Sequence, residues 1–333
     1  MSTPSSQAPH HQMHDNRPGN QPGANADTPA EIPPRGWWDI AKRVFKSLGA
    51  DHVSLISGGV AFFAFLSLFP ALSALIAIYG LVVAPDEVTR QVSQLASVMP
   101  PQAQEMLDES LKTIASTSDE KLGWGLLLSV VLSIWSANKG TAALFEGLNI
   151  VYNEKEKRNF FKLKLTTLAF TLTGFVSAII CLVLIVGLSA VVENLGLASW
   201  LETTILLIRW PILALVYITA LALAYRYAPC RNDPKFRWVS VGSVVSTILW
   251  LVLSAGFAYY VSNFGSYDEV YGSLAAVVIT LLWLFLTVMM ILLGAEINGE
   301  MEAQTNKDTT VGPDRPIGAR GAYYADHKPR EQS

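Results

Sequence analysis

The chain has 333 residues, of which 51% are hydrophobic and only 15% are charged. Ordinary soluble domains carry about 25% charged residues, and their helices keep a polar face, so this composition excludes a soluble fold. The net charge of −3 says little about partners, and we expect no nucleic-acid partner. Two cysteines in different predicted environments, Cys181 and Cys230, indicate no disulfide framework.

The N-terminal region divides into two parts. Residues 1–36 are rich in Pro, Gln, Asn, Ser and Gly and bury almost nothing, so we expect a disordered tail. Residues 37–50 then alternate aromatic and aliphatic side chains with lysine and arginine at helical spacing. This pattern predicts a short helix that lies on the membrane surface, attracted by anionic headgroups.

Long uncharged runs follow. Residues 54–84, 165–192, 239–267 and 270–295 contain no Asp, Glu, Lys or Arg. About 20 apolar residues in a helix cross a hydrocarbon core roughly 30 Å thick, so each run is long enough to span a membrane. Two further candidates carry a charge near one end. We therefore predict an all-α integral membrane protein, whose domain of residues 37–302 contains six transmembrane helices at about 54–84, 122–144, 165–192, 203–225, 239–261 and 272–296.

Positive charge predicts the orientation of these helices. Eighteen Lys and Arg residues fall in segments 35–51, 145–164, 226–238 and 296–333, whereas the alternate segments contain three. Because cytoplasmic loops are enriched in Lys and Arg, both termini are expected in the cytoplasm. The outer loop of residues 85–121 repeats apolar residues at helical spacing on both sides of Pro100, which predicts a long amphipathic helical loop. Residues 303–333 are expected to form a second disordered tail.

Pro70 lies near the middle of the first predicted span. Proline removes one helix hydrogen bond and frees the carbonyl of Leu66, which needs another partner in lipid, such as Ser67. The simple interpretation is a packed kink, and the alternative is a moving hinge.

Polar residues close the second predicted span, in SIWSANKGTAALFEGLNIVYNE (residues 133–154). If the span starts at residue 122, Lys139 lies roughly 26 Å along the helix and Glu146 roughly 36 Å, on one face of it. Lys139 could extend its ammonium group into the headgroup region. Small residues beside it, including Gly140 and Gly147, form a stripe that is typical of helix–helix contact, which favours a position bordering the protein interior.

Other polar groups are expected at a similar depth near the cytoplasmic ends of the spans. The candidate substrate-binding cluster consists of Lys139, Asn138, Glu146, Arg226, Glu296 and Asn298. A cation at this depth could hold a phosphate or a carboxylate. An ion-pair lock between helices explains the same residues, and both interpretations remain open.

Four motifs occur in order between about Trp37 and Glu302: GGVAFFAFLSLFPAL, WSANKGTAALFEGLNIVYNE, YVSNFGSYDEVYGSLAAVV and LLGAEINGE. Together they resemble the YihY / virulence factor BrkB family of bacterial inner-membrane proteins. The resemblance implies a six-helix, multi-pass fold with cytoplasmic termini in the inner membrane. Lys139 occupies the position at which the family often has Arg, and this difference weakens a bidentate phosphate contact but keeps a point charge.

Three functions follow as hypotheses. The first is a transporter or lipid translocase for an anionic lipid or another envelope-related molecule. The second is a membrane scaffold for envelope integrity or assembly, with an envelope protein or a second copy of the chain as partner. The third is an enzyme, such as the ribonuclease for which the family was once named. His52 is the single histidine outside the tails, and no P-loop motif occurs, so we expect neither an enzyme nor a cofactor.

Overall fold

The computed structural model of the protein describes residues 21–80, 119–188, 192, 199–264 and 274–328. Its main helices are α1 (Pro34–Ala50), α2 (Val53–Gly80), α3 (Asp119–Val151), α4 (Phe160–Leu182), α5 (Ser199–Tyr227), α6 (Phe236–Phe264), α7 (Ala275–Gln304) and α8 (Tyr323–Asp326). A π-helical turn, Val183–Gly187, extends α4. No β-strand occurs in these residues, so the prediction of an all-α fold is confirmed for the part of the chain that is described.

Several helices are long and apolar enough to cross a membrane. Within the described residues these are Phe160–Ile185, Trp200–Tyr227, Phe236–Ser262 and Ala275–Gln304, and a fifth span arises if the bent pair α1–α2 is counted as one. They coincide with four of the predicted spans. The predicted second span lies inside α3, and the predicted outer-loop helices lie outside the described residues. The described residues therefore contain four or five candidate spans, and the count of six stays a prediction.

Helix α7 is the centre of the bundle. It packs against α1, α2, α3, α6 and α8, while α2 pairs closely with α3 and α5 pairs with α6. The largest buried apolar cluster joins residues from these helices, including Leu148, Tyr225 and Leu292, each fully buried. Large apolar side chains such as Trp135, Trp210 and Val252 are exposed on the outside of the bundle. Such a surface suits contact with lipid rather than water.

Small residues on α3 allow α2 and α3 to pack closely along their contact, which we call the α2–α3 seam. A Cβ atom at Gly140 would lie 3.0 Å from Ser67 Oγ, and one at Gly147 would lie 3.2 Å from an Ile56 methyl group. The predicted packing stripe is therefore confirmed at these two positions. The exposed glycines Gly58 and Gly59 on α2 face open space instead.

Helix α1 is amphipathic and leaves α2 at a bend of 63°. Ile40 and Val44 pack in a buried cluster with Met301 of α7. Trp38 and Phe45 are exposed, so the predicted helix is present with an aromatic and basic outer face. Its contact with a membrane surface stays a prediction.

Both terminal segments are folded where the structure describes them, so the prediction that residues 1–36 and 303–333 are disordered is wrong for 21–36 and 303–328. Ala26, Ile32 and Ala325 are buried. The two segments bind each other through main-chain carbonyl groups, since the Thr305 hydroxyl donates to the Ala26 carbonyl at 2.6 Å. Hydrogen bonds between polar segments hold this region together with the burial of a few apolar side chains such as Ile32, and composition does not reveal these contacts.

Arg320 organises the C-terminal segment. Its guanidinium group is 4% exposed, and it donates to the carbonyl oxygens of Asn306 at 2.6 Å, Lys307 at 2.9 Å and Ala325 at 3.0 Å. Asp308 lies 4.0 Å from the same side chain. One arginine thus satisfies several carbonyl groups that would otherwise be buried without donors.

Candidate functional site

The last turns of α7 carry a row of buried polar side chains. Glu296, Asn298, Glu302 and Gln304 are at most 1% exposed, and Glu300 is 6% exposed. Polar groups removed from water cost free energy unless they find hydrogen-bond partners. A buried side chain with hydrogen-bond partners therefore has a structural role, and one without partners needs another explanation.

Glu300 joins α7 to α1. Its carboxylate accepts a hydrogen bond from Arg43 Nε at 2.5 Å and another from the Ser47 hydroxyl at 3.2 Å. Arg43 also donates to Gln304 Oε1 at 2.7 Å. The pair is largely buried and its donors are used, so Glu300 and Arg43 form a structural lock.

Glu302 forms a second lock with the α5–α6 connection. Its carboxylate accepts from Arg231 Nη2 at 2.6 Å, and both side chains are fully buried. The Thr309 hydroxyl donates to the other carboxylate oxygen at 2.9 Å. The Arg231 guanidinium lies 4.4 Å from the centroid of the Tyr152 ring, and burial raises the pKa of Tyr152, so this tyrosine is neutral.

Asn298 is satisfied on all sides. Its side-chain oxygen accepts from the Gly242 main-chain N–H at 2.8 Å. Its amide nitrogen donates to the Val239 carbonyl at 3.3 Å and to the Tyr152 hydroxyl at 3.4 Å. Asn298 therefore fixes α6 against α7, and the structure gives it a packing role.

Glu296 differs from its neighbours on α7. Its side chain is fully buried, and neither carboxylate oxygen has a hydrogen-bond partner among the described residues. Asp51 and Tyr324 are the polar side chains that approach it, and Glu300 is the next acid on the same helix. A buried carboxyl group without a donor needs an explanation, because native proteins leave few such groups unpaired.

Asp51 reaches α7 from the junction of α1 and α2. It caps the end of α1, where its N–H donates to the Ser47 carbonyl at 2.8 Å. His52, which follows it, has a φ of 50°, in the left-handed region that side chains other than glycine rarely adopt. Burial raises the pKa of Asp51, and the nearby carboxyl group of Glu296 acts in the opposite direction.

Tyr324 covers the same region from the C-terminal segment. Its hydroxyl accepts from Asn153 Nδ2 at 3.3 Å, and its ring meets the Tyr152 ring edge-on with 6.5 Å between centroids. A Cβ atom at Gly299 would lie 2.6 Å from Tyr324 Cε2, so only glycine lets the ring lie against α7. Burial raises the pKa of Tyr324, which keeps its hydroxyl neutral.

The predicted cluster is only partly assembled. Glu296 and Asn298 are buried in one polar layer, but Lys139 and Glu146 are exposed on α3. Neither forms an ion pair with a residue that the structure describes. Their shared helix face was predicted correctly, but this face points away from the helices that pack on α3.

Three further predicted residues have local partners. Asn138 is buried and accepts from the Thr171 hydroxyl of α4 at 3.1 Å. Arg226 lies over the Phe236 ring at 4.0 Å, with Nε 3.9 Å from the Asp233 carboxylate. Pro70 lies inside the continuous helix α2.

The region around Pro70 is satisfied differently from the expectation. The Ser67 hydroxyl donates to the Phe63 carbonyl at 2.6 Å rather than to that of Leu66. Its oxygen also accepts from the Gly140 N–H of α3 at 3.1 Å. This contact ties α2 to α3 just before the proline, and the hinge role of Pro70 stays a prediction.

Sequence reasoning did not find Asp51, Arg231 or Tyr324. Asp51 depends on the left-handed His52 turn, and Tyr324 lies in a segment that was expected to be disordered. Arg231 lies in the basic segment 226–238, whose charge was used only for orientation. Within the described residues no group of three or more His, Cys, Asp and Glu side chains could hold a metal ion.

Comparisons with known proteins agree with this architecture. The family model for virulence factor BrkB matches residues 44–317. The ribonuclease-like protein YfkH of Bacillus subtilis is 30% identical over 256 residues, which cover 73% of this chain and 87% of that protein. A UPF0761 membrane protein of Vibrio parahaemolyticus is 28% identical, covering 79% of this chain and 82% of its own length. A further one from Alteromonas mediterranea is 26% identical, covering 83% and 92%.

No solved structure matches the chain. The family match covers most of the sequence, and the relatives from Vibrio parahaemolyticus and Alteromonas mediterranea are named as membrane proteins, as the apolar helices indicate. The chain is therefore a membrane protein that belongs to the virulence factor BrkB family.

Proposed function

We propose that the protein is a transporter of the bacterial inner membrane, with six spans and both termini in the cytoplasm. The observation that carries the proposal is Glu296, a fully buried carboxyl group without a partner on the helix at the centre of the bundle. Ionisable residues in membrane helices are costly, and they usually mark a pathway for an ion or a substrate. The neighbouring Asn298 and Glu300 have structural partners, whereas neither oxygen of Glu296 has one among the described residues.

The topology is supported by two independent features. The predicted second span lies inside the 33-residue helix α3, which is long enough to cross a membrane. The excess of Lys and Arg in alternate segments favours cytoplasmic termini. Addition of a cysteine at an exposed residue such as Gly312, followed by labelling in intact and in opened cells, tests the position of the C-terminus. Labelling in opened cells only is expected, and equal labelling in intact cells contradicts it.

An anionic lipid is the proposed substrate class. Lys139 is exposed on α3 beside the exposed Trp135, and a lysine with an adjacent aromatic residue suits the headgroup region of a bilayer. Mass spectrometry of co-purified lipids tests this step. Enrichment of one anionic lipid is expected in the wild type and in the Lys307→Ala control, and it is expected to be lost in Lys139→Ala. Bulk lipid composition in all three proteins contradicts an anionic lipid.

Transport itself is tested with the full chain in proteoliposomes that contain a fluorescent anionic phospholipid. The expected result is faster movement of the probe between leaflets than in vesicles without protein. A rate equal to that of protein-free vesicles contradicts the lipid translocase and directs the search to soluble solutes.

The second candidate function is a membrane scaffold. The two buried ion pairs, Arg43–Glu300 and Arg231–Glu302, favour it, because they hold the helices and the C-terminal segment in one arrangement. A scaffold has a stoichiometric partner in the envelope and moves no solute. Recovery of such a partner at a constant ratio, together with absence of transport, would replace the first proposal with this one.

A further inference from the structure

We propose that Glu296 and Asp51 bind one proton together, so that the carboxylic acid of Glu296 faces the carboxylate of Asp51. The inference rests on the proposed function and deepens it, because it names the proton as a ligand of the same site. It follows from the register of α1 against α7 and from the charges around the two side chains. The Ser47 hydroxyl donates to Glu300, and Asp51 and Glu296 lie one helical turn further along α1 and one turn back along α7, which places them at the same level.

The arginines near Glu296 pair with other acids. Transfer of an ionised carboxylate into the protein interior costs several kcal/mol unless a cation or donors compensate for it. The two arginines near this layer pair with other acids, Arg43 with Glu300 and Arg231 with Glu302. Arg231 Nε and Nη1 are buried without a hydrogen-bond partner among the described residues, so they do not reach Glu296 either. Glu296 has neither a cation nor a donor of its own. The acid form therefore explains its burial.

Several charged and titratable groups lie around Glu296. Glu300 comes from the same helix, Asp51 from the α1–α2 junction with His52 beside it, Tyr152 from the end of α3, and Tyr324 from the C-terminal segment. Both tyrosines are neutral. The nearest groups that carry charge are thus acids, and two ionised carboxylates at close range repel each other. One proton between Glu296 and Asp51 removes that repulsion.

The site suits a proton better than a metal ion. A metal ion bound by carboxylates needs several converging ligands. No group of three or more His, Cys, Asp and Glu side chains within the described residues has a suitable arrangement. Two carboxyl groups are sufficient for a proton, as in other carboxyl pairs that share one.

The geometry also gives the proton a route. In the transfer, the O–H bond of Glu296 breaks and a new O–H bond forms on an Asp51 carboxylate oxygen. Glu296 becomes the carboxylate, Asp51 becomes the acid, and the pair keeps a charge of −1. Asp51 is only partly buried, so it can release the proton to water, while the buried Tyr324 helps to close the space around Glu296.

Infrared spectroscopy of the full-length protein in lipid nanodiscs tests the pair directly, because a carboxylic acid has a C=O band that a carboxylate lacks. At neutral pH the wild type is expected to show this band, with a shift on exchange into D₂O. Glu296→Gln is expected to lose the band, and the matched Glu202→Gln variant, changed at a partly exposed position on α5, is expected to keep it. Asp51→Asn is expected to shift the band by changing its hydrogen bond.

Two results overturn the inference. One is a band of unchanged intensity in Glu296→Gln, and the other is loss of the wild-type band on addition of sodium, which would make the pair a cation site. If Glu296→Gln does not fold, Asp51→Asn carries the test, and an unshifted band in that variant overturns the pairing. A wild-type protein with the expected bands but no transport supports the proton pair and contradicts the transporter.

Discussion

Replacement of Glu296 by methionine is expected to stabilise the protein. Methionine has a similar length and needs no hydrogen-bond partner, whereas both oxygens of Glu296 are buried without donors. The partly exposed Asp51, which loses the shared proton in this variant, can bind water instead. An unsatisfied buried polar group costs roughly 1–3 kcal/mol, so Glu296→Met should raise the free energy of unfolding by about that amount. Asn298→Leu, two residues away, should instead lower it by roughly 2–4 kcal/mol, because it removes three hydrogen bonds from buried partners.

The assay is reversible unfolding in detergent micelles, followed by circular dichroism at increasing denaturant for the wild type and both variants. Changes of opposite sign at two buried polar residues of one helix are the expected result. A loss of stability in Glu296→Met as large as that in Asn298→Leu would refute the reasoning, because Glu296 would then have structural partners. A gain in stability with loss of transport fits a residue that is retained for function.

Three further predictions concern polar residues and a glycine near the end of α7 and in the segment after α3. Arg231→Met leaves the buried Glu302 carboxylate unpaired and should cost about 3–5 kcal/mol of stability in the same unfolding assay, while Arg231→Met with Glu302→Leu should recover most of the loss. Gly299→Ala places a methyl group 2.6 Å from Tyr324 Cε2 and should speed hydrogen exchange in residues 305–328. The hydrogen bonds from Arg158 lower the pKa of Glu156 from 4.5 to about 2, so its stabilising contribution is complete above pH 4.5 and is lost as pH falls to 2.

Each of these predictions has a matched control. Asp39→Asn breaks the exposed pair with Lys42 and should change stability by less than about 1 kcal/mol. Gly49→Ala adds a methyl group in open space and should leave hydrogen exchange unchanged. Glu156→Gln should flatten the dependence of stability on pH between 4.5 and 2. Equal effects of a variant and its control, or an unaltered pH profile, would contradict the corresponding contact.

The long helices could be predicted from the sequence because uncharged runs of 26 residues or more leave few alternatives to apolar helices. The seam between α2 and α3 was also predictable, since Gly140 and Gly147 recur at helical spacing. The same rule does not identify which glycines meet a neighbour. Gly58 and Gly59 face open space because the rotation of a helix relative to the bundle depends on all its neighbours.

The candidate site also depends on contacts that helical spacing does not reveal. Helical spacing correctly placed Lys139 and Glu146 on one face, but it could not show that this face is exposed. Asp51 lies at the end of α1 beside the left-handed turn of His52, a bend that the apolar pattern of the sequence does not mark. Tyr324 was hidden in a polar segment that folds through hydrogen bonds to Arg320 and Thr305, and no hydrophobic periodicity marks such a segment.

The proposed function gives Glu296 a direct role in transport. Its most direct test is the movement of a labelled anionic phospholipid in proteoliposomes, measured with and without a pH gradient for the wild type, Glu296→Gln and Glu202→Gln. The pH gradient is expected to change the rate of phospholipid movement at least tenfold in the wild type and in Glu202→Gln. Glu296→Gln is expected to abolish this response. An equal response in all three proteins would contradict this role.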